Sequence, residues 1–195
     1  MSSMISVDEK IPIHVETPLA PRLCASLRAG DLVHLSGDVY TARDAAHRRM
    51  FDAITKGYPL PINLKTATLF YAAPSPTPEG KVIGSIGPTT SYRMDVFTPA
   101  LLEHGLRGMI GKGNRSPEVV EAIKRCNAVY FGAIGGIAAL TAQCVKKMEI
   151  VAYEDLGPEA IRKLTVVDLP LVVINDSQGN DLYLSEQNKW RILSV

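Results

Sequence analysis

The chain has 195 residues, 46% of them hydrophobic and 21% charged, with a net charge of +1. That is enough chain for one large domain with a real core. The near-neutral balance, with both signs interspersed, excludes the electrostatic footprint of a nucleic-acid binder or of a protein held on an anionic membrane.

The first 20 residues, MSSMISVDEKIPIHVETPLA, lack the charged-then-apolar layout of a signal peptide, and no apolar stretch reaches the length of a membrane span. The chain is therefore expected in the cytoplasm. Residues 1–20 read as a loose N-terminal arm. Residues 21–195 read as one domain, because no repeat, low-complexity tract or linker divides them. Short apolar runs between turn signals predict strands over 32–35, 68–72, 82–85, 128–134, 150–153 and 171–174. Residues 177–180 (SQGN) form a turn that would return the last of these as a hairpin with 181–184.

Helices are predicted from their caps. Thr41 and Asp44 resemble a capping box, Gly57 is the stop, and Ala46, Met50 and Ile54 make one apolar stripe between them. Thr98-Pro99 opens a short helix that Gly105 closes. Ser116-Pro117 opens another, with Val119, Ile123 and Cys126 inward. Gly135-Gly136 precedes a small-residue helix through Lys147, and a fifth spans about 158–164. Strands and helices mixed without strict alternation indicate an α/β domain of layered α+β type.

The usual cofactor fingerprints fail. The three cysteines, Cys24, Cys126 and Cys144, are odd in number and widely spaced, which argues against a disulfide framework or a C-x-x-C metal site. Cys126 and Cys144 read as packing residues. GLRGMIGKG (105–113) has the wrong spacing for a phosphate loop, and Gly113 stands where a Mg²⁺-binding hydroxyl belongs. No metal ligand set is expected in this chain.

Three segments hold more Gly, hydroxyl and cationic residues than folding needs: 36–47 (SGDVYTARDAAH), 84–95 (GSIGPTTSYRMD) and 110–116 (IGKGNRS). With Thr41 as N-cap, Arg43 sits in a helix's first turn. An anion there would meet both free N–H groups and the guanidinium. Alternatively Arg43 pairs with Asp38 or Asp44. His47, on the same helical face, serves either as a proton carrier or as an ordinary helical histidine. Thr89 and Arg93 are four apart and share a face if Pro88 starts a helical turn. Gly84 and Gly87 would let a ligand approach the backbone. Lys112, between Gly111 and Gly113, is either an uncrowded ligand or a solvated turn lysine. Arg43, Arg93 and Lys112 together suit two carboxylates, and a phosphate ester would also fit.

SGDVYTARDAAHRR, GSIGPTTSYRMD, KGNRSPEV, GAIGGIAALTA, YEDLGPEAI and NDSQGNDLY, in this order, resemble the β subunit or C-terminal domain of class I iron–sulfur fumarases. The L-tartrate dehydratase β subunit is similar but less close. The resemblance covers nearly the whole chain after about residue 10. It implies a swivelling β/β/α domain and a hydro-lyase that interconverts fumarate and malate, a step of the tricarboxylic acid cycle. It also implies a site shared with an α subunit that carries a [4Fe–4S] cluster, in a heterotetramer or larger assembly. No cofactor is expected on this chain alone. By the family pattern Arg43, Arg93 and Lys112 bind the substrate, Thr89 is the proposed base, and His47 is a further catalytic candidate. Tyr92 departs from a common Gly, and Ala72-Ala73-Pro74 from Ala-Gly-Pro or Cys-Gly-Pro. The alternatives are a dehydratase for L-tartrate or another 2-hydroxy dicarboxylate, and a non-catalytic anion-binding or assembly module.

Overall fold

The computed structural model describes residues 11–191. Seven strands carry the fold: β1 (Ile13–Glu16), β2 (Leu32–Thr41), β3 (Thr68–Phe70), β4 (Gly108–Gly111), β5 (Val129–Ala133), β6 (Val145–Ala152) and β7 (Ile161–Asn175). They lie in the order β1-β2-β3-β4-β5-β7-β6, and β2 also pairs with β7. That extra pairing closes β2, β3, β4, β5 and β7 into a barrel. The ladders from β1 through β5 are parallel, and β7 runs antiparallel to β2, β5 and β6.

Period-two alternation sorts the side chains. Val33, Leu35, Val39, Phe70, Ile110, Val129, Phe131, Leu164, Val166, Leu171 and Val173 come from all five barrel strands and pack together as the barrel's filling. Their neighbours Leu69, Met109, Tyr130 and Ile174 point outward and form a second core with the helices. Those helices are α2 (Asp44–Lys56), α3 (Thr98–Glu103) and α4 (Pro117–Arg125), following α1 (Pro21–Ser26). α2 contributes Ala46 and Met50, α3 Leu101 and Leu102, and α4 Val119, Ala122 and Ile123. α5 (Ala138–Cys144) and α6 (Leu182–Trp190) complete the chain's helices among the described residues. This is the mixed, layered α/β arrangement expected, with its sheet closed. None of the described helices is long and apolar enough to cross a membrane.

Local chemistry explains most boundaries. Gly57 ends α2 in the left-handed region (φ 70°), its N–H bonding the Ala53 and Ile54 carbonyls. Ser116 caps α4 by accepting from the Val119 N–H, with Pro117 opening the helix. α3 opens at Thr98-Pro99 as expected.

Several expectations need correction. Thr41 ends β2 and does not cap α2. Its hydroxyl donates to the Ala160 carbonyl and accepts from the Arg162 N–H, so it is used in joining β2 to the chain around β7. Residues 158–164 are not helical. A 3-10 segment, Glu154–Glu159, gives way to β7 at Ile161, because long-range pairing with β2 overrides local propensity. The helix after Gly135-Gly136 stops at Cys144, where Val145 starts to pair with Val166. Residues 82–85 are a loop that buries Ile83 against the barrel filling. The turn at 177–180 exists, but beyond a lone Asn175–Asp181 bridge it leads into α6, which Asp181 caps. The N-terminal arm is shorter than expected: β1 pairs with β2, and Val15 and Leu19 are buried. Residues 1–10 of that arm lie outside the described residues. β4, inside the glycine-rich 105–113 run, was not expected as a strand.

Candidate active site

The three polar segments all leave the carboxyl ends of adjacent parallel strands. Arg43 follows β2, the 71–95 stretch follows β3, and Lys112 follows β4. The carboxyl ends of parallel strands are where both open α/β sheets and closed α/β barrels place ligands.

Arg43 occupies the N-cap of α2 with extended backbone, and Asp44 is the first helical residue. Asp44 Oδ2 lies 3.1 Å from Arg93 Nη1 and 3.7 Å from Arg43 Nη2, so one carboxylate stands between two guanidinium groups. A second carboxylate arrives from the 3-10 segment. Glu159 Oε2 accepts from the Ala45 N–H at 3.0 Å, and Oε1 lies 3.5 Å from Arg43 Nη2. A free helix N–H and a cation thus jointly hold a carboxylate. Arg49 reinforces the arrangement from the next turn of α2: Nη1 donates to Asp155 Oδ1 at 2.8 Å, and the guanidinium lies over the Tyr153 ring. Asp44, Arg48, Arg93, Phe97 and Glu159 line a cleft of about 380 Å³.

Thr89 and Lys112 do not line that cleft, but they are laced to one another. The Lys112 N–H donates to the Thr89 carbonyl and to Ser91 Oγ, and the Ser91 N–H donates to the Lys112 carbonyl. Gly111 permits this, since a Cβ there would lie 2.0 Å from Ser91 Oγ. Lys112 is exposed and has no acidic partner among the described residues. Thr89 sits in extended chain ahead of the 3-10 turn Ser91–Met94, so it does not share a helical face with Arg93. Its hydroxyl donates to the Tyr71 carbonyl at 2.8 Å. Gly84 serves the chain itself: a Cβ there would lie 2.3 Å from the Ser75 carbonyl oxygen.

His47 is fully buried on α2. Nδ1 lies 3.0 Å from the Arg43 carbonyl, and the ring meets Tyr71 edge-on. Burial pushes its pKa down to about 4, so the imidazole is neutral near pH 7 and does not serve there as an imidazolium acid. Its Nε2 and Arg43 Nε have no hydrogen-bond partner although each is buried, and Asp44 Oδ2 meets only the ion-pair contacts to Arg93 and Arg43. Thr68 Oγ1 and the Asn175 amide are the other buried polar atoms without hydrogen-bond partners among the described residues. Native proteins rarely leave such groups unpaired without a functional reason.

Motif spacing does not point to Arg115, Asp95 or Glu159. Arg115 lies in the same KGNRS stretch as Lys112 but is buried, with Nε donating to Asp95 Oδ1 at 2.7 Å and Nη2 to Thr98 Oγ1 at 2.8 Å. Its guanidinium lies over the Tyr71 and Tyr130 rings, and Asp95 Oδ2 accepts from the Ser116 N–H. This pair fastens the Lys112 loop to the Arg93 turn. A sequence signal existed, since Asp95 and Arg115 fall inside two of the three singled-out segments. The three cysteines lie on α1, at the end of α4 and on α5, and no cysteine belongs to a potential metal-ligand group among the described residues. These side chains do not fit an iron–sulfur cluster.

Comparison with known proteins gives the family. The model of the fumarase C-terminus matches residues 2–186. Fumarate hydratase 2 of Leishmania major is 41% identical over 156 residues, 79% of this chain and 28% of that protein. The anaerobic class I fumarate hydratase of Escherichia coli is 42% identical over 157 residues, 80% of this chain and 29% of that protein. A Methanocaldococcus jannaschii protein provisionally named L(+)-tartrate dehydratase subunit beta is 38% identical over 169 residues, 84% of this chain and 86% of its own length. The chain thus spans less than a third of those two fumarate hydratases but most of the dehydratase subunit. By these matches, over nearly all of its length, the chain belongs to the fumarase C-terminus family of hydro-lyase relatives.

Proposed function

We propose that this chain supplies the substrate-carboxylate ligands of a hydro-lyase that reversibly hydrates fumarate to L-malate. In this proposal Arg43, Arg93 and Lys112 bind the diacid, Thr89 is the base, and the site is completed by a partner α subunit. Dehydrating malate removes the C2 hydroxyl and a C3 proton. That proton is weakly acidic, and removing it loads negative charge onto the adjacent carboxylate. Fixed cations aimed at that carboxylate lower the barrier most. The hydroxyl is a poor leaving group, and the [4Fe–4S] cluster assigned to the partner subunit would supply Lewis-acid chemistry for it. Thr89 could act as a base only as its alkoxide, and its hydroxyl donates to the Tyr71 carbonyl, so that proton would have to leave first. The nearby cations that favour its alkoxide also weaken it as a base.

The observation that supports this best is Glu159. Its carboxylate, held by Arg43 and the α2 N-terminus, is the same chemical group as either end of a dicarboxylate, which supports this reading. Asp44 and Glu159 already offset Arg43 and Arg93, which leaves Lys112 as the uncompensated cation. Binding a diacid would therefore require Glu159 or Asp44 to yield part of its contact. The test is reconstitution. Expressed with an iron–sulfur α subunit and kept anaerobic, the pair should consume malate, and the chain alone should not. No malate turnover by a cluster-loaded complex would sink the proposal.

A second function is favoured by coverage. One relative of which this chain covers 86% is named as a tartrate dehydratase subunit, and Tyr92, beside Arg93, is 64% exposed at the site. Turnover of tartrate but not malate by the same complex would select it. Calorimetry separates both from a non-catalytic anion-binding module, which should bind dicarboxylates measurably without a partner.

A further inference from the structure

Three strands bring two histidines and an aspartate together away from Arg43. His14 on β1 and His34 on β2 are direct partners in the parallel ladder, with rings 5.6 Å apart. Asp168 lies on β7, which pairs with the other edge of β2. His14 Nδ1 is 3.6 Å from Asp168 Oδ1, and one ligand atom from each of the three residues lies within 4.8 Å of the other two. It is the one such group among the described residues.

A regular ladder would not aim Asp168 this way. Between the pairs Leu35–Leu169 and Gly37–Val166, β2 has one residue, Ser36, and β7 has two, Val167 and Asp168. That is a β-bulge, and Asp168 takes its left-handed position with φ 50°. Its N–H donates to Ser36 Oγ at 3.0 Å, which fixes the bulge to β2. Bulges of this kind re-aim a side chain. An ordinary surface ion pair would account for His14 and Asp168 but leave His34 without a role.

We propose that His14, His34 and Asp168 form a binding site for one divalent late transition-metal ion, with zinc the best match. Two imidazole nitrogens and one carboxylate oxygen are a known three-ligand set for such ions, with the remaining position open to solvent. Ligand atoms at tetrahedral angles around zinc stand about 3.4 Å apart. The His14–Asp168 separation is close to that, and rotation of the exposed His14 and Asp168 side chains can bring them closer to the half-buried His34. Calcium and magnesium are disfavoured by the two nitrogen donors. A bound ion would tie β1, β2 and β7 together, stabilising the folded chain by mass action.

The experiment is calorimetric titration of zinc into the full chain after chelator treatment and dialysis. One equivalent should bind with a dissociation constant in roughly the micromolar range, and His34→Ala and Asp168→Asn should each weaken it by about tenfold or more. The side chains of His14 and Asp168 are largely exposed, and His34 is half-buried and polar, outside both apolar cores. Cys144→Ser is the control, because Cys144 Sγ lies 3.9 Å from the Asp168 carbonyl. Copper(II) loaded at one equivalent should show nitrogen hyperfine coupling from two imidazoles, reduced to one in His14→Ala. Excess zinc should raise the melting temperature of the unsubstituted chain but not of His14→Ala. Binding weaker than millimolar overturns the proposal. So does unchanged affinity in both His14→Ala and Asp168→Asn, or affinity that depends on Cys144.

Discussion

Two groups of arginines sit at the same end of the barrel and are treated in opposite ways. Arg115 is buried, and its guanidinium is saturated by Asp95, Thr98 and two aromatic faces. Arg43 and Arg93 are partly exposed and share Asp44 at unequal distances, and Arg43 Nε and the nearby His47 Nε2 are buried without hydrogen-bond partners. A cation whose donors are all satisfied is committed to holding the fold. A cation whose surroundings remain unsatisfied still has interaction energy to offer a ligand.

The largest effects test that contrast directly. Arg115→Ala strands Asp95 in the interior and should cost about 3–5 kcal/mol of stability, measured by chemical denaturation. A loss under 1 kcal/mol would erase the distinction. Arg93→Ala should do the reverse. In the reconstituted complex kcat/KM should fall by several orders of magnitude, on the order of 4 kcal/mol or more in transition-state binding, with stability nearly unchanged. Rates equal to those of the unsubstituted protein would remove Arg93 from the site.

His47 sharpens the comparison through pH. Its folded pKa, about 4, is below the ordinary 6.5, so between those values the unfolded chain binds a proton that the folded chain refuses. Its contribution is complete above pH 6.5 and is lost as pH falls towards 4, by at most about 3 kcal/mol. His47→Phe should flatten the stability curve in that window. An unchanged slope would mean that the imidazole is already charged in the folded state. The smallest effect belongs to Glu159. Glu159→Ala removes the acceptor of the Ala45 N–H and should cost about 1 kcal/mol of stability, with KM for the diacid lowered about tenfold because Arg43 no longer has that carboxylate to give up. Thermal unfolding and the reconstituted assay read the two effects separately.

How much of this could be read from sequence depended on where the cause lay. Caps and stops written locally were legible: Gly57, Ser116-Pro117 and Thr98-Pro99 all sit where expected. Features caused by distant pairing were not. Thr41 looks like a cap until β7 occupies its hydroxyl, and 158–164 looks helical until Ile161 joins the barrel. The site divided in the same way. Arg43, Arg93 and Lys112 stood out by residue type and local setting, and the structure joins Arg43 to Arg93 through Asp44 while tying Lys112 to Thr89 by backbone bonds. Glu159, carried by a segment far along the chain, and Arg115, hidden by its burial, needed the fold to be seen.

The closing strand also constrains how this protein is made. β7 is the last barrel strand in the chain, yet it pairs with β2, β5 and β6. Until residues 161–175 leave the ribosome, β2 and β5 present open edges that can recruit strands from other chains. Slow translation ahead of that segment should therefore lower the soluble yield, and a chaperone that shields nascent sheet edges should restore it.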